Sequence, residues 1–367
     1  MSSRPLRAPW LMLAASLTLT MPLAAHATQP AKKPKTAAAK ARSDSAPDIV
    51  TYGRRDDVMA FADDTAQRHG LDAAWVREQL AGARYLPSVA RLIMPPPAGT
   101  AKNWAAYRSR FIEPERIAAG LRFWLTHEAA LARAEAQYGV PAQIVVGIIG
   151  VETFYGRVTG NFRVLDALAT LAFDFPTGRK DRTPFFRGEL EELIRWCAGG
   201  GCDPQALRGS YAGAIGLPQF MPGSINRHAV DFDGDGRIDL LRSPEDAIGS
   251  VAHYLANFGW QRGMPTHYDV APPSETTPRA MLLAPDIVPS FTAAQMLEQG
   301  AVLGEDAQRH PGPLALVELQ NGDAAPSYVA GTANFYAVTR YNWSSYYALA
   351  VIDLGSAIAA AHRAATR

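Results

Sequence analysis

Between Pro141 and Gly156 the chain carries one stretch that has to end inside a protein. Ile144, Val145, Val146, Ile148, Ile149 and Val151 leave no polar stripe at helical spacing. A helix that is apolar nearly all round must be buried. Gly139 and Pro141 reset the chain before it, and Pro141 suits the first helical position. Gly147 and Gly150 lower helix propensity but let another backbone approach closely. Gly156 predicts the C-terminal stop.

Glu152 sits at the end of this apolar helix. Ionising a carboxylate in such surroundings is costly, so desolvation should raise its pKa and keep it protonated near neutral pH. A carboxyl in that state can donate a proton as a general acid. The competing reading is structural: a buried Glu paired with Arg157 or Arg163, since such pairs also perturb pKa values.

The first 27 residues have a different character. Arg4 and Arg7 precede an almost uncharged Leu, Met and Ala stretch from Ala8 to Ala25, and Ala25-His26-Ala27 provides small residues for cleavage. This is the three-part pattern of a secretory signal peptide, with a membrane anchor as the alternative. No Cys lies near the cleavage point, so no lipid anchor is expected. Residues 28–48 interleave Lys32, Lys33, Lys35, Lys40 and Arg42 with Ala and Pro, the composition of a solvated linker. Export predicts a periplasmic location and no stable membrane insertion of the mature chain.

The remaining stretch of about 320 residues suffices for two or three domains. Net charge is +1, from 36 basic and 35 acidic residues, so nothing points to nucleic acid. Cys197 and Cys202, the two cysteines, flank a glycine-rich tetrapeptide. In an oxidising compartment a disulfide closing that loop is the natural pairing; two free thiols are the alternative. No His or further Cys stands beside them to make a metal site.

The expected fold class is mainly α, within α+β. Residues 49–138 read as a helical lobe. Trp75, Val76 and Leu80 recur in a segment opened by Asp72, and Ile117, Leu121, Trp124 and Leu131 in one longer helix after Pro114. Pro95-Pro96-Pro97 divides the lobe. Residues 139–264 form a helical core with long loops. Pro-rich segments and runs such as Ala315–Leu319 predict a small β-containing subdomain over 265–330. Residues 331–367 return to helix, Tyr347 to Ala364, against the core.

Asp231-Phe-Asp233-Gly-Asp235-Gly236-Arg237-Ile238 follows the start of an EF-hand calcium loop. Oxygen ligands fall at positions 1, 3 and 5, the turn glycine at 6, the Arg237 backbone carbonyl at 7 and Ile at 8. Position 12 is Arg242, which cannot close the site. The alternative is a solvated acidic turn without metal. A structural Ca2+ is expected, and no organic cofactor.

Five blocks then resemble the lytic murein transglycosylase B family. They are Gly147–Arg157 (GIIGVETFYGR), Gly209–Ser224 (GSYAGAIGLPQFMPGS), Asp231–Gly236 (DFDGDG), Asp246–Tyr254 (DAIGSVAHY) and Asn334–Asn342 (NFYAVTRYN). The resemblance spans about residues 100 to 360. It implies a lysozyme-like core and cleavage of the β-1,4 bond between N-acetylmuramic acid and N-acetylglucosamine in peptidoglycan glycan strands. It further implies 1,6-anhydromuramoyl ends, with Glu152 as the single acid/base. Hydrolytic schemes need a second placed carboxylate; Asp166 and Asp174 are the nearest in sequence, and neither lies in a block that looks catalytic. The resemblance makes Ser210, Gln219, Tyr341, Asn342 and Tyr347 substrate-binding, with core packing as the alternative for the two tyrosines. It assigns the closing metal ligand to Asp246, with Glu245 as the neighbouring candidate. Pro218 departs from the family pattern; it removes an N–H and stiffens the loop before Gln219. The expected state is a monomer. The alternatives are a hydrolysing muramidase and a non-catalytic peptidoglycan-binding protein.

Overall fold

The computed structural model describes residues 51–95 and 102–367. The expected signal peptide and linker, and part of the Pro95–Pro97 break, lie outside the described residues.

The N-terminal half is helical: α1 (Asp56–His69), α2 (Ala73–Ala81), α3 (Pro87–Leu92), α4 (Trp104–Arg108), α5 (Pro114–Thr126), α6 (Glu128–Tyr138) and α7 (Ala142–Thr153). Side chains start several of these. Asp72 accepts from the amides of Ala74 and Trp75, and Glu113 from those of Glu115 and Arg116. Such caps satisfy amides that have no partner within the helix.

The expected long helix after Pro114 is two helices. His127, at φ −116° and ψ 28°, leaves the helical region between α5 and α6. The spacing of Ile117, Leu121, Trp124 and Leu131 fits either arrangement, because each half keeps its own apolar stripe. The halves have different partners: α5 packs on α7 and α16 (Ser345–Ala365), and α6 on α7 and α11 (Pro244–Asn257).

The helix α7 begins at Ala142, so Pro141 is its N-cap and not its first residue. The Ala142 amide donates to Glu135 Oε2 at 3.0 Å. At the other end the chain turns out before Gly156. Phe154 (φ 52°, ψ 48°) and Tyr155 (φ 58°) are already left-handed, and Gly156 (φ 88°) is the third such residue. Ile144, Val145, Val146, Ile148 and Ile149 are each at most 1% exposed, which answers the apolar pattern.

Next come β1 (Phe162–Arg163), α8 (Val164–Phe173), α9 (Thr183–Ala198), β2 (Arg208–Gly209) and α10 (Pro222–His228), followed by α11. Antiparallel pairing of Phe162 with Gly209 and of Arg163 with Arg208 brings the 209–219 loop beside the exit from α7. Cys197 and Cys202 form a disulfide at the end of α9.

The C-terminal part contains β3 (His267–Ala271), β4 (Val302–Leu303), β5 (Ala315–Asn321) and β6 (Ala324–Gly331), in the antiparallel order β4-β3-β6-β5. Short helices α12 (Thr276–Leu283), α13 (Ala293–Glu298) and α14 (Glu305–Gln308) accompany them. Leu282, Met296, Leu303, Leu314, Leu316 and Ala330 make a small separate core there. A larger core runs from Tyr52 to Ile358 and joins the N-terminal helices, α7 to α11 and the last two helices. Those two are α15 (Ala333–Thr339) and α16. Among the described residues α16 alone is long and apolar enough to cross a membrane; here half of it is buried, along α7.

Candidate active site

Three segments meet at the end of α7. The first is α7 itself, ending in Glu152 and Thr153. The second is the 209–219 loop. The Thr153 hydroxyl donates to the Leu217 carbonyl at 2.9 Å, tying helix to loop. The third is the start of α16, where the Tyr347 hydroxyl donates to Glu152 Oε1 at 2.6 Å.

Glu152 keeps intermediate exposure, although protein packs densely around its carboxyl. Burial raises its pKa to about 7, with the Tyr347 hydrogen bond pulling the other way. Desolvation wins because a single neutral donor replaces only part of the lost hydration. The structural alternative does not hold. Arg157 pairs with Glu115 at 2.6 Å, and Arg163 with Asp166 at 2.5 Å. The two acids nearest in sequence are also engaged elsewhere. Asp166 takes Arg163 and the Arg84 amide, while Asp174 takes Arg55 and the Tyr52 hydroxyl.

The remaining expected residues surround this point in different ways. Tyr341 and Tyr347 are 7% and 2% exposed, with rings stacked at 6.2 Å and 13°. The Tyr341 hydroxyl donates to the Pro218 carbonyl, so the departure at Pro218 is held by this tyrosine. Gln219 is left-handed at φ 51°. Its Nε2 donates to Gly216 O at 2.8 Å and to Thr159 O at 3.2 Å. Ser210 Oγ accepts from the Ala214 amide at 3.0 Å, closing the turn below Gln219. Asn342 is 5% exposed, and its carbonyl accepts from the Ser344 amide.

Several contributing groups were invisible to sequence reasoning. Thr153 is one, because its partner Leu217 is 64 residues away. Tyr254 is another: it donates to the Arg340 carbonyl at 2.7 Å and places its ring 4.9 Å from Tyr341. Arg116, whose Nη1 donates to the Gly150 carbonyl at 2.9 Å, is a third. Thr153 and Tyr254 fall inside two of the resembling blocks and Arg116 inside none, and no local pattern gives the distant partner of any of them.

The acidic loop is prearranged. Asp231 accepts from the amides of Gly234 and Gly236, Asp233 from that of Asp235, and Asp235 from that of Arg237. One oxygen from each of Asp231, Asp233 and Asp246 falls within 4.8 Å of the others. Asp246 reaches in from α11 and accepts from the amides of Phe232, Asp233 and Asp239. Glu245 points away and pairs with His127 at 2.9 Å. No ion pair from a basic side chain to Asp231, Asp233 or Asp246 is found among the described residues. Arg133 acts on Asp233 only through its charge, without an ion pair, and such clustered carboxylates fit a hard, oxygen-seeking ion such as calcium.

Fold and site together define a lytic transglycosylase. The transglycosylase SLT domain family matches residues 53–356, and the chain belongs to that family. The membrane-bound lytic murein transglycosylase B of Escherichia coli (strain K12) is 40% identical over 320 residues, 84% of either chain. The E. coli lytic transglycosylase SLT35, solved in complex with calcium, is 38% identical. It covers 86% of this chain and 96% of its own, with a TM-score of 0.74. SltB1 from Pseudomonas aeruginosa is 39% identical over 85% of this chain and 99% of its own, with a TM-score of 0.77. SltB3 from the same organism, solved with NAG-anhNAM-pentapeptide, is 29% identical over 82% and 79%, with a TM-score of 0.66. The structural neighbours share the lysozyme-like fold expected above.

Proposed function

We propose that Glu152 performs both proton transfers of the reaction, with no second protein carboxylate. The observation that carries this is a carboxyl held by burial at a pKa of about 7, with Tyr347 as its hydrogen-bond partner and, among the described residues, no basic side chain paired to it. Protonated Glu152 donates to the bridging glycosidic oxygen as the C1–O bond breaks. The substrate's own acetamido group supports the developing charge at C1. Glu152, now ionised, takes the proton from the C6 hydroxyl as O6 bonds to C1. The acid is regenerated, and the products together have the mass of the substrate, with no water added. A pKa close to the working pH serves both halves of such a cycle.

In this reading the Tyr347 hydroxyl fixes the carboxyl and supports its ionised form between the two steps. Ser210, Gln219, Tyr341 and Asn342 shape the glycan cleft. Gln219 and Tyr341 act mainly by holding the 209–219 loop, since their polar atoms bind its backbone. Asp231, Asp233, Asp235, Asp246 and the Arg237 carbonyl would hold Ca2+, a structural ion that fixes the start of α11. The calcium found in SLT35 supports that reading. The periplasm is the proposed site of action, in keeping with the Cys197–Cys202 disulfide and the signal-like N-terminus.

Mass spectrometry of digested peptidoglycan tests the reaction. Anhydro ends without added water are expected; reducing ends would establish the hydrolysing muramidase instead. Full lytic activity in Glu152→Gln would remove the acid from the scheme.

A further inference from the structure

Helix α7 ends in two consecutive non-glycine left-handed residues, Phe154 and Tyr155. Each such conformation costs on the order of 1–2 kcal/mol, so the surroundings must impose it. Two guanidinium groups, those of Arg116 and Arg157, each lie 4.5 Å from the Phe154 ring centroid. Arg116 also binds the Gly150 carbonyl, in the last turn of α7.

Tyr155 folds back along the helix. Its phenol end fills the space where a Cβ would stand on either Gly150 of α7 or Gly120 of α5. Leu354 and Ile358 of α16 border the same notch, and the Phe123 ring lies 5.3 Å away. The hydroxyl is buried with no hydrogen-bond partner among the described residues, so the phenol engages by its shape and not through a hydrogen bond. Tyr155 thus touches the two helices α5 and α7 and faces the α16 side chains, three residues after Glu152.

We infer that Tyr155 is a positioning residue for Glu152, a wedge that keeps the end of α7 in its strained turn and the carboxyl in its desolvated setting. This rests on Glu152 being the acid. Relaxing the turn hydrates the carboxyl, which lowers its pKa toward the ordinary carboxylate range. The titratable groups facing Glu152 are Tyr347 on α16, Tyr341 before it and Tyr254 on α11, all pushed upward by burial. Arg116 and Arg157 flank the turn. Burial moves all three phenols further from neutral pH, so the alkaline limb of kcat reports Glu152.

The test compares kcat–pH profiles of Tyr155→Phe, Tyr155→Leu and Gly120→Ala on a soluble glycan oligomer. Leu131→Ala in α6 is the control for simple loss of stability. Tyr155→Leu should lower kcat about tenfold, with KM nearly unchanged, and move the alkaline limb to lower pH. Gly120→Ala, which crowds the wedge from α5, should do the same and substitutes for Tyr155→Leu if that variant fails to fold. Tyr155→Phe should match the parent, and Leu131→Ala should lower Tm without moving the limb. An unmoved limb in both wedge variants would overturn the inference, as would a Tyr155→Phe profile as altered as that of Tyr155→Leu. Glu152→Gln, assayed in parallel, separates the two ideas: if it is inactive while the wedge variants leave the limb in place, only the role of Tyr155 falls.

Discussion

Gly147 stands so close to the Val351 carbonyl that a Cβ there would overlap it, and Gly355 meets the Gln143 carbonyl in the same way. Helices α7 and α16 therefore touch backbone to backbone at two points. That spacing sets Tyr347, near the start of α16, 2.6 Å from Glu152, near the end of α7. Gly355→Ala should force the helices apart, with a stability loss of about 1–3 kcal/mol, as for other overpacked cores. It should also lengthen the Tyr347–Glu152 contact and lower kcat. Thermal melts and lysis assays on the same preparation check both effects, and a fully active variant would show that this spacing does not govern the contact.

Replacing Glu152 should reduce activity and raise stability together. Its folded pKa of about 7 lies above the ordinary 4.5, so the folded chain holds this proton more tightly than the unfolded one. The resulting penalty is absent below about pH 4.5, grows as pH rises, and is complete above about pH 7. Glu152→Gln should match the parent in stability near pH 4 and exceed it by about 3 kcal/mol at pH 8. Lytic activity should fall about 10³-fold. Chemical denaturation at the two pH values, beside a turbidity assay, decides it.

Part of this arrangement is legible in the chain itself. A run from Ile144 to Val151 with no polar face requires burial, and an acid at its end requires an explanation. The spacing of Asp231, Asp233, Asp235 and Gly236 likewise contains its own turn geometry. What the chain does not display locally is partnership over distance. Tyr347 is 195 residues from Glu152, and only the resemblance to known enzymes placed them together. The break at His127 was missed because apolar spacing records which residues face inward, not whether the axis bends between them. The early exit at Phe154 was missed because left-handed backbone is ordinarily assigned to glycine, and here packing imposes it on aromatic residues.

Calcium should raise Tm, and a chelator should remove the increase. Asp246→Asn should abolish the response, since Asp246 shares the loop with Asp231 and Asp233. Glu245→Gln should keep it, because that carboxylate faces His127. Differential scanning calorimetry in calcium and in chelator reads both variants; a response lost in Glu245→Gln and kept in Asp246→Asn would reverse the ligand assignment.

Reduction of the Cys197–Cys202 bridge should have a modest effect. The cysteines are five residues apart, and a loop so short removes little entropy from the unfolded chain, about 2 kcal/mol at most. Paired melts of the parent and Cys197→Ser should differ accordingly, and lytic activity should be kept.

Because Arg157 and Arg163 are committed to Glu115 and Asp166, the proton affinity of Glu152 owes nothing to a neighbouring cation. It comes from the exclusion of water, on which dissolved ions have little purchase. Salt screens charge–charge attraction over about 10 Å at 0.1 M, but among the described residues Glu152 has no ion pair to screen. The protonation of this acid thus stays where packing has set it across wide swings in ionic strength.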